Sequence, residues 1–127
     1  LDVFRSIATE SHRAALFITH DLGIVAEMCD RVVVMYAGKI VETGTTAEIF
    51  DNPLHPYTKA LLDALPERRS QGETLRTIPG MVPIPIDLPE SCYFADRCPE
   101  VMKGTCDAKY PPWRRQSETH QVYCHLY

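Results

Sequence analysis

Thiols dominate the chemistry available to the second half of this 127-residue sequence, because four of its five cysteines lie after residue 91. Successive members of the four are separated by five, seven and seventeen residues: Cys92, Cys98, Cys106 and Cys124. Zinc sites commonly use pairs about two to four residues apart, and ferredoxins use short characteristic runs, so the spacing fits neither well. Four thiolates on a proline-stiffened loop could still close around an iron–sulfur cubane. Two disulfides or unpaired core thiols are the structural alternatives.

One histidine in the first half has a position suited to phosphate chemistry. His20 follows a short apolar run, residues 14–19, which predicts a strand buried on both faces. Asp21 is placed to cap a helix directly afterwards. Ligands of open α/β sheets bind where strands end and helices begin, so His20 could donate to a phosphate oxygen or polarise a water. A histidine satisfied by the local backbone is the alternative interpretation.

The elements after His20 are indicated by hydrophobic spacing. Apolar residues recur at intervals of three and four after Asp21, which predicts a helix with its core face at Leu22, Val25, Ala26 and Cys29. Residues 31–36 and 39–43 predict the two strands of a hairpin, and Ala37-Gly38 can form its tight turn.

Two short helices are predicted next. Thr45 and Glu48 have the spacing of a capping box, which favours a helix that ends near Phe50. Pro56 suits the first position of the following helix, where a missing N–H costs nothing. The apolar face of that helix comprises Tyr57, Ala60, Leu61, Ala64 and Leu65. Pro66 is expected to end it.

The prolines mark a change in organisation, since all ten lie after residue 52. Residues 67–76 are polar and charged and predict a linker or mobile loop. Residues 78–89 carry four prolines, a density that excludes a helix or a central strand. We expect an extended crossing of polyproline type there.

Charge and hydropathy restrict the function classes. A formal net charge of −4 and a pI near 5.7 argue against a nucleic-acid partner, which would require a basic stripe. No apolar run approaches the ~20 residues of a membrane span, and no signal-peptide pattern opens the sequence. We therefore expect a soluble, cytosolic chain. Because residue 1 is leucine rather than methionine, we expect a fragment of a longer protein.

Two stretches of the first half have a familiar order: Leu16-Phe-Ile-Thr-His-Asp-Leu22 and Cys29-Asp-Arg-Val-Val-Val-Met-Tyr-Ala-Gly-Lys-Ile-Val-Glu-Thr-Gly44. They closely resemble the switch-histidine loop and the closing strands of an ABC-transporter ATP-binding subunit. Asn52-Pro-Leu-His-Pro-Tyr-Thr58 and Leu61-Leu62 resemble the dipeptide/oligopeptide (and nickel) importer branch of that family. Ile78-Pro-Gly-Met-Val-Pro83 and Cys92-Tyr-Phe-Ala-Asp-Arg-Cys-Pro99 resemble the C-terminal extension of that branch, closest to the dipeptide-permease type.

This resemblance covers residues 14–127 and implies an α/β fold in two parts. Residues 1–50 would be the C-terminal fragment of an ABC ATPase (P-loop NTPase) domain, and residues 51–127 a small, irregular, cysteine-stapled extension. The intact subunit would couple ATP hydrolysis, with Mg, to import of dipeptides, oligopeptides or nickel. Its implied partners are a second ATP-binding subunit (a copy or a homologue), two membrane-spanning permease subunits and an extracytoplasmic peptide-binding protein. It would lie at the cytoplasmic face of the cell membrane, with no nucleic-acid partner.

The resemblance also implies roles for two residues of the first part. In the intact subunit His20 would contact the γ-phosphate and help to hold the attacking water. Leu1-Asp2-Val3 resembles the D-loop, in which Asp2 would communicate across the ATPase dimer. Residues 4–13 are too few for the helix that the family places after that loop, so a solvated N-terminal acid is the alternative for Asp2. The sequence contains no G-x-x-x-x-G-K-[ST] loop, so we expect this chain alone to be inactive as an ATPase.

Some members of the dipeptide-permease type carry a [4Fe–4S] cluster on four similar cysteines. The resemblance therefore implies a cluster in loop 92–124, with zinc as the second choice, on Cys92, Cys98, Cys106 and Cys124. Arg97 could donate to its sulfurs or to phosphates, and a solvated or ion-paired side chain is the alternative. His120 or His125 could replace one thiolate. The rival function is a stand-alone regulatory module that senses metal or redox state and has no ATPase role.

Overall fold

The computed structural model describes residues 6, 14–65, 78–84 and 86–127 and has a small α/β architecture. Its helices are α1 (Leu22–Met28), α2 (Thr46–Asp51), α3 (Pro56–Asp63) and the 3-10 turn η1 (Ala95–Arg97). Its strands are β1 (Arg31–Tyr36), β2 (Lys39–Thr45), β3 (Trp113–Arg115) and β4 (Gln121–Tyr123). The predicted hairpin and all three predicted helices are therefore confirmed. Pro66, the predicted linker 67–76 and Pro85 lie outside the described residues.

The first hairpin joins β1 to β2 through a two-residue turn. Ala37 and Gly38 both have positive φ, 45° and 80°. A turn with two positive φ values twists in the sense that matches the flanking strands, which is why Ala-Gly can close the hairpin. The register runs from Arg31 opposite Thr45 to Tyr36 opposite Lys39. On β1, alternate residues therefore face the core and the outside.

The C-terminal segment completes the same sheet. β4 pairs antiparallel with β2, and β3 pairs antiparallel with β4, so the strand order is β1-β2-β4-β3. Only two residue pairs join β2 to β4, namely Glu42 opposite Val122 and Thr43 opposite Gln121. Segments that the sequence analysis assigned to two different parts thus share one antiparallel sheet. Because the β2–β4 pairing is short, side-chain contacts must supply much of the interaction between these segments.

The three helix starts follow the capping rules that predicted them. Asp21 Oδ1 accepts the amides of Gly23 and Ile24 at 2.9 and 3.1 Å. At α2 the Thr45 hydroxyl accepts the Glu48 amide at 3.2 Å, while Glu48 Oε2 accepts the Thr45 amide at 2.8 Å. These bonds satisfy backbone donors that a helix leaves unpaired at its first turn.

The prediction of a buried strand over residues 14–19 is wrong for the described residues. These residues have no regular structure, and the side chains of Leu16 and Ile18 are 88% and 94% exposed. A strand that is apolar on both faces needs a neighbouring strand and covering layers. The described sheet is built from 31–45 and 113–123 and does not reach residues 14–19.

Two small clusters of buried hydrophobic residues form the core of the described part of the chain. The larger one contains Tyr36, Val41 and Phe94, with Tyr57 and Ile78 packed against it. The rings of Tyr36 and Tyr57 meet edge to face at 4.7 Å, as do those of Tyr36 and Phe94 at 5.2 Å. The smaller core joins Leu54 to two residues of the C-terminal segment, Val122 and Cys124.

The proline-rich segment crosses the molecule without regular structure over 78–84 and 86–89, as its proline density predicted. Arg97 fastens its start. The guanidinium donates to the carbonyls of Pro79 and Ile78 at 2.9 and 3.0 Å and to the Tyr36 hydroxyl at 3.2 Å. Arg97 thus joins this segment to the larger core and is itself half-buried.

The expectation of a cysteine-stapled extension is not supported by the structure. All five cysteines are free thiols, and each is among the described residues. The extension is instead held by aromatic packing, by the Arg97 contacts and by hydrogen bonds to two glutamates of the first half. Those two carboxylates are described below.

Candidate functional site

His20 lies directly before the N-cap of α1 with an exposed side chain. The two residues that flank His20 are hydrogen-bonded to each other, since the Asp21 amide donates to the Thr19 hydroxyl at 3.0 Å. The predicted position before a helix is confirmed, although the preceding strand is not. An exposed imidazole at this place can donate a hydrogen bond to a ligand or accept one from it.

The far end of α1 is fastened to the start of α2. The Thr46 amide donates to the Asp30 carbonyl at 3.1 Å, and the Thr46 hydroxyl donates to the Cys29 carbonyl. Cys29, expected in the core, is half-buried at the C-cap of α1. The C-terminal end of the helix that follows His20 is therefore hydrogen-bonded to Thr46, the first residue of α2.

The pKa is raised at three of the four predicted cluster ligands, Cys92, Cys98 and Cys124. Burial raises the pKa of the Cys92 thiol to about 11, and charges on Cys106, Cys124 and Cys98 would raise it further. Burial is also the main cause that raises the pKa of Cys98 and that of Cys124. The Cys92 amide donates to the Cys106 carbonyl at 2.8 Å, which joins two of the four directly. Cys106 and Cys124 are buried, whereas Cys92 and Cys98 are half-buried.

Among the residues that the structure describes, no group of three or more His, Cys, Asp or Glu side chains is arranged to hold a metal ion. Neither a zinc site nor an iron–sulfur site is therefore seen. The two histidines considered as substitute ligands are already engaged. His120 Nε2 lies 2.7 Å from Glu42 Oε1, and His125 Nε2 lies 3.1 Å from the Lys109 carbonyl oxygen. Arg97 is likewise occupied by the contacts described above.

A buried carboxylate, which the sequence analysis missed, holds the two halves of the chain together. Glu42 is fully buried on β2. Its Oε1 accepts the Leu54 amide at 2.8 Å and lies 2.7 Å from His120 Nε2, and its Oε2 accepts the His55 amide at 2.9 Å. Three donors thus converge on one group that can only accept. His120 lies 78 positions away, so no local spacing could have revealed the pair.

A second carboxylate joins α2 to the connection between β3 and β4. Glu48 Oε1 accepts the Ser117 hydroxyl at 2.7 Å, and both of its oxygens lie 2.9 Å from the Thr119 hydroxyl. The Thr45 amide and the Ser117 hydroxyl are the main causes that lower the pKa of Glu48 to about 2. Gly44 leaves room for this arrangement, because a Cβ there would come within 3.2 Å of His120 Cδ2 and 3.3 Å of Glu48 Cβ.

The stretch 52–58, which resembles an importer motif, has a structural explanation. His55 caps α3, since its Nδ1 accepts the Tyr57 amide at 3.0 Å, and its own amide donates to Glu42. Pro56 occupies the first turn of α3. Tyr57 packs on the larger core, and Thr58 is 1% exposed. Within this stretch His55 thus belongs to the junction around Glu42, and Tyr57 belongs to the larger core.

Residues 41–106 match the sequence model of one family, described as the C-terminal region of oligopeptide/dipeptide transporters. The chain belongs to this family. The resemblance inferred from the sequence motifs is thereby confirmed. The matched range starts at β2, contains Glu42 and His55, and includes three of the four clustered cysteines.

Curated relatives extend the similarity over nearly the whole chain. A Brucella ovis protein, provisionally named a peptide import ATP-binding protein, is 47% identical over 98% of this chain and 38% of its own length. Two Bacillus subtilis proteins are similar. The dipeptide transport ATP-binding protein DppD is 44% identical over 99% of this chain and 37% of its own length. The oligopeptide transport ATP-binding protein AppF is 40% identical over 100% of this chain and 39% of its own length.

This chain therefore spans less than two fifths of the length of these relatives. Within the described part of the chain, none of the helices is both long and apolar enough to cross a membrane.

Replacing Glu42 tests the buried junction. In Glu42→Gln one carboxylate oxygen becomes an NH₂ group, so at least one of the three converging N–H groups faces another donor. We expect a loss of about 3 kcal/mol in the free energy of unfolding, measured by urea denaturation. Glu90→Gln, at an exposed position, is the matched control and should change stability by less than about 0.5 kcal/mol. Equal, small effects of both changes would contradict the role given to Glu42.

The pH dependence of stability tests the capping histidine. Burial, with a smaller contribution from Lys59, lowers the pKa of His55 from 6.5 to about 4. The unfolded state therefore binds a proton between these values that the folded state does not bind. Stability should fall by roughly 2–3 kcal/mol as the pH drops from 6.5 to 4. His55→Asn keeps a capping side chain and should flatten this part of the curve.

Glu48 provides the internal control for that curve. Its lowered pKa stabilises the folded state above the ordinary value of 4.5, and this contribution is lost as the pH falls toward 2. Glu48→Gln should therefore change the slope of the stability curve only below pH 4.5. If His55→Asn leaves the upper limb as steep as in the parent chain, the assignment to His55 is wrong.

Proposed function

We propose that this chain is the C-terminal part of the ATP-binding subunit of a peptide importer. The observation that carries the proposal is the family match over residues 41–106, extended by relatives that cover nearly the whole chain and are named for peptide transport and ATP binding. In this proposal residues 1–50 belong to the ATPase domain and residues 51–127 to the family-specific extension. The shared sheet and the Glu42 junction support a rigid attachment of the second part to the first.

His20 is the proposed phosphate-facing residue of the subunit. Its exposed imidazole is free of the backbone contacts that hold Thr19 and Asp21, so it is able to donate toward a γ-phosphate oxygen. Mg-bound ATP supplies the transferable phosphoryl group. Asp21 serves as the helix cap, and Thr46 fixes the other end of α1, so that His20 is carried by an anchored helix. Asp2, the proposed D-loop residue, lies outside the described residues.

The partners follow from the same proposal. The subunit would pair with a second ATP-binding subunit and act on two membrane-spanning permease subunits from the cytoplasmic face of the membrane. An extracytoplasmic binding protein would deliver the peptide. The chain alone would not hydrolyse ATP, because no G-x-x-x-x-G-K-[ST] loop is present to cradle the phosphates.

A substitution at His20 in the complete subunit tests the proposal. We expect His20→Ala to lower the ATPase kcat by at least ~100-fold while ATP affinity changes by less than ~5-fold, because the imidazole acts on the transferring phosphate. Lys103→Ala, an exposed lysine of the extension, is the control and should leave both parameters unchanged. A kcat within about twofold of the parent would contradict the role of His20.

A cysteine-held metal centre is proposed as a cofactor of the extension. Its support is the proximity of the four thiols: charges on the other three would raise the pKa of Cys92, and a charge on Cys106 would raise those of Cys98 and Cys124. Ligation needs thiolates, and their mutual repulsion would be relieved by a cationic centre. Cys92, Cys98, Cys106 and Cys124 would hold a [4Fe–4S] cluster, or zinc as the second choice. The bound centre would supply metal–sulfur bonds that order the extension.

Metal analysis of protein purified without oxygen tests this cofactor. About four irons and four acid-labile sulfides per chain, lost together in Cys98→Ser and in Cys106→Ser, are expected for a cluster. Cys29→Ser is the matched control, since Cys29 caps α1 and is no member of the group. A single zinc would replace the cluster by a zinc site. Protein that contains neither metal would contradict both.

A further inference from the structure

The connection between β3 and β4 presents one serine hydroxyl at the surface. Ser117 is exposed, and its Oγ donates to Glu48 Oε1 at 2.7 Å. The same oxygen accepts the amide of Thr119 at 3.2 Å and that of His120 at 2.9 Å. Ser117 is therefore linked to the buried Glu42 through His120, whose amide donates to Ser117 Oγ and whose ring contacts Glu42.

Two arginines precede this serine on an accessible strand. Arg114 and Arg115 are three and two positions before Ser117, and both are exposed. They lie on β3, which is the outermost strand of the sheet. Guanidinium groups are fixed cations that a partner recognises with carboxylates in a forked geometry. Of the other described serines, Ser91 is buried, and Ser6 is exposed but follows a single arginine in the sequence. Thr119 is half-buried with its hydroxyl on both oxygens of Glu48.

We propose that Ser117 is a phosphorylation site for a serine kinase that recognises the preceding arginine pair with acidic side chains. The phosphoryl donor is a nucleoside triphosphate. Ser117 Oγ forms a bond to the γ-phosphorus, and the bond from that phosphorus to the β–γ bridging oxygen breaks. The nucleoside diphosphate leaves with the electron pair, and the hydroxyl proton passes to a carboxylate of the kinase. This modification is independent of the transport function proposed above.

Phosphorylation would convert an attractive contact into a repulsive one. The ester oxygen can no longer donate to Glu48, and the phosphate brings a charge of about −1.5 to −2 beside that carboxylate. Glu48 is ionised at neutral pH even without the Ser117 hydrogen bond, because the ordinary pKa of a glutamate, 4.5, lies well below 7. The connection must move away from α2, which strains the bond from the His120 amide to Ser117 Oγ. The modification therefore loosens the β3–β4 segment from the first half of the chain.

The test treats the complete polypeptide with the catalytic domain of an arginine-directed serine kinase and Mg-ATP. Peptide mapping by mass spectrometry should find phosphate on Ser117, and the peptide that contains this position should carry none in Ser117→Ala. Hydrogen exchange at the His120 and Val122 amides should then accelerate at least ~10-fold. The absence of phosphate from Ser117, or unchanged exchange after stoichiometric phosphorylation of Ser117, would each overturn the proposal.

Two further variants separate recognition from repulsion. Replacing both arginines by alanine should slow phosphorylation at least ~10-fold while the melting temperature shifts by less than about 2 °C, since both side chains are exposed. Glu48→Gln removes the negative charge but keeps an acceptor, so phosphorylation should then accelerate exchange by less than about threefold. Unchanged phosphorylation without the arginines, or full acceleration in Glu48→Gln, would show that the mechanism is wrong.

Discussion

The carboxylate of Glu42 is the constraint on which the architecture depends. A fully buried acceptor needs donors, and this one receives two from residues 54 and 55 and one from His120. Leaving any of these groups unpaired in the interior would cost more than the bond itself contributes. The carboxylate therefore specifies where the chain after α2 must pass and where the C-terminal segment must dock. The short β2–β4 seam follows from this docking.

Glu48 repeats the principle at the surface. It closes the capping box of α2 and at the same time accepts the hydroxyls of Ser117 and Thr119. The Glu42 junction is thus buried, whereas the Glu48 junction includes the exposed Ser117. His20 precedes α1, and the C-terminal end of α1 is hydrogen-bonded through Thr46 to α2, the helix that contains Glu48.

Local features of the fold could be predicted from the sequence, and contacts distant in sequence could not. Asp21, Thr45 and Pro56 mark helix starts because capping chemistry acts within three residues. Ala37-Gly38 marks the hairpin for a similar reason. Nothing near Glu42 indicates His120, and residues 14–19 look like a buried strand because apolarity does not reveal whether a neighbour is present. At the candidate site the place of His20 was predictable, whereas Arg97 was assigned to a cluster and instead clips residues 78–79.

Native-state hydrogen exchange at the Leu54 and His55 amides tests the central claim most directly, because both donate to Glu42 although they lie in a loop between two helices. If the buried carboxylate organises the structure, both amides should exchange only through global unfolding, as slowly as the Val122 amide of the sheet. Exchange at the rate of an ordinary exposed loop would show that the carboxylate does not hold the two halves of the chain together.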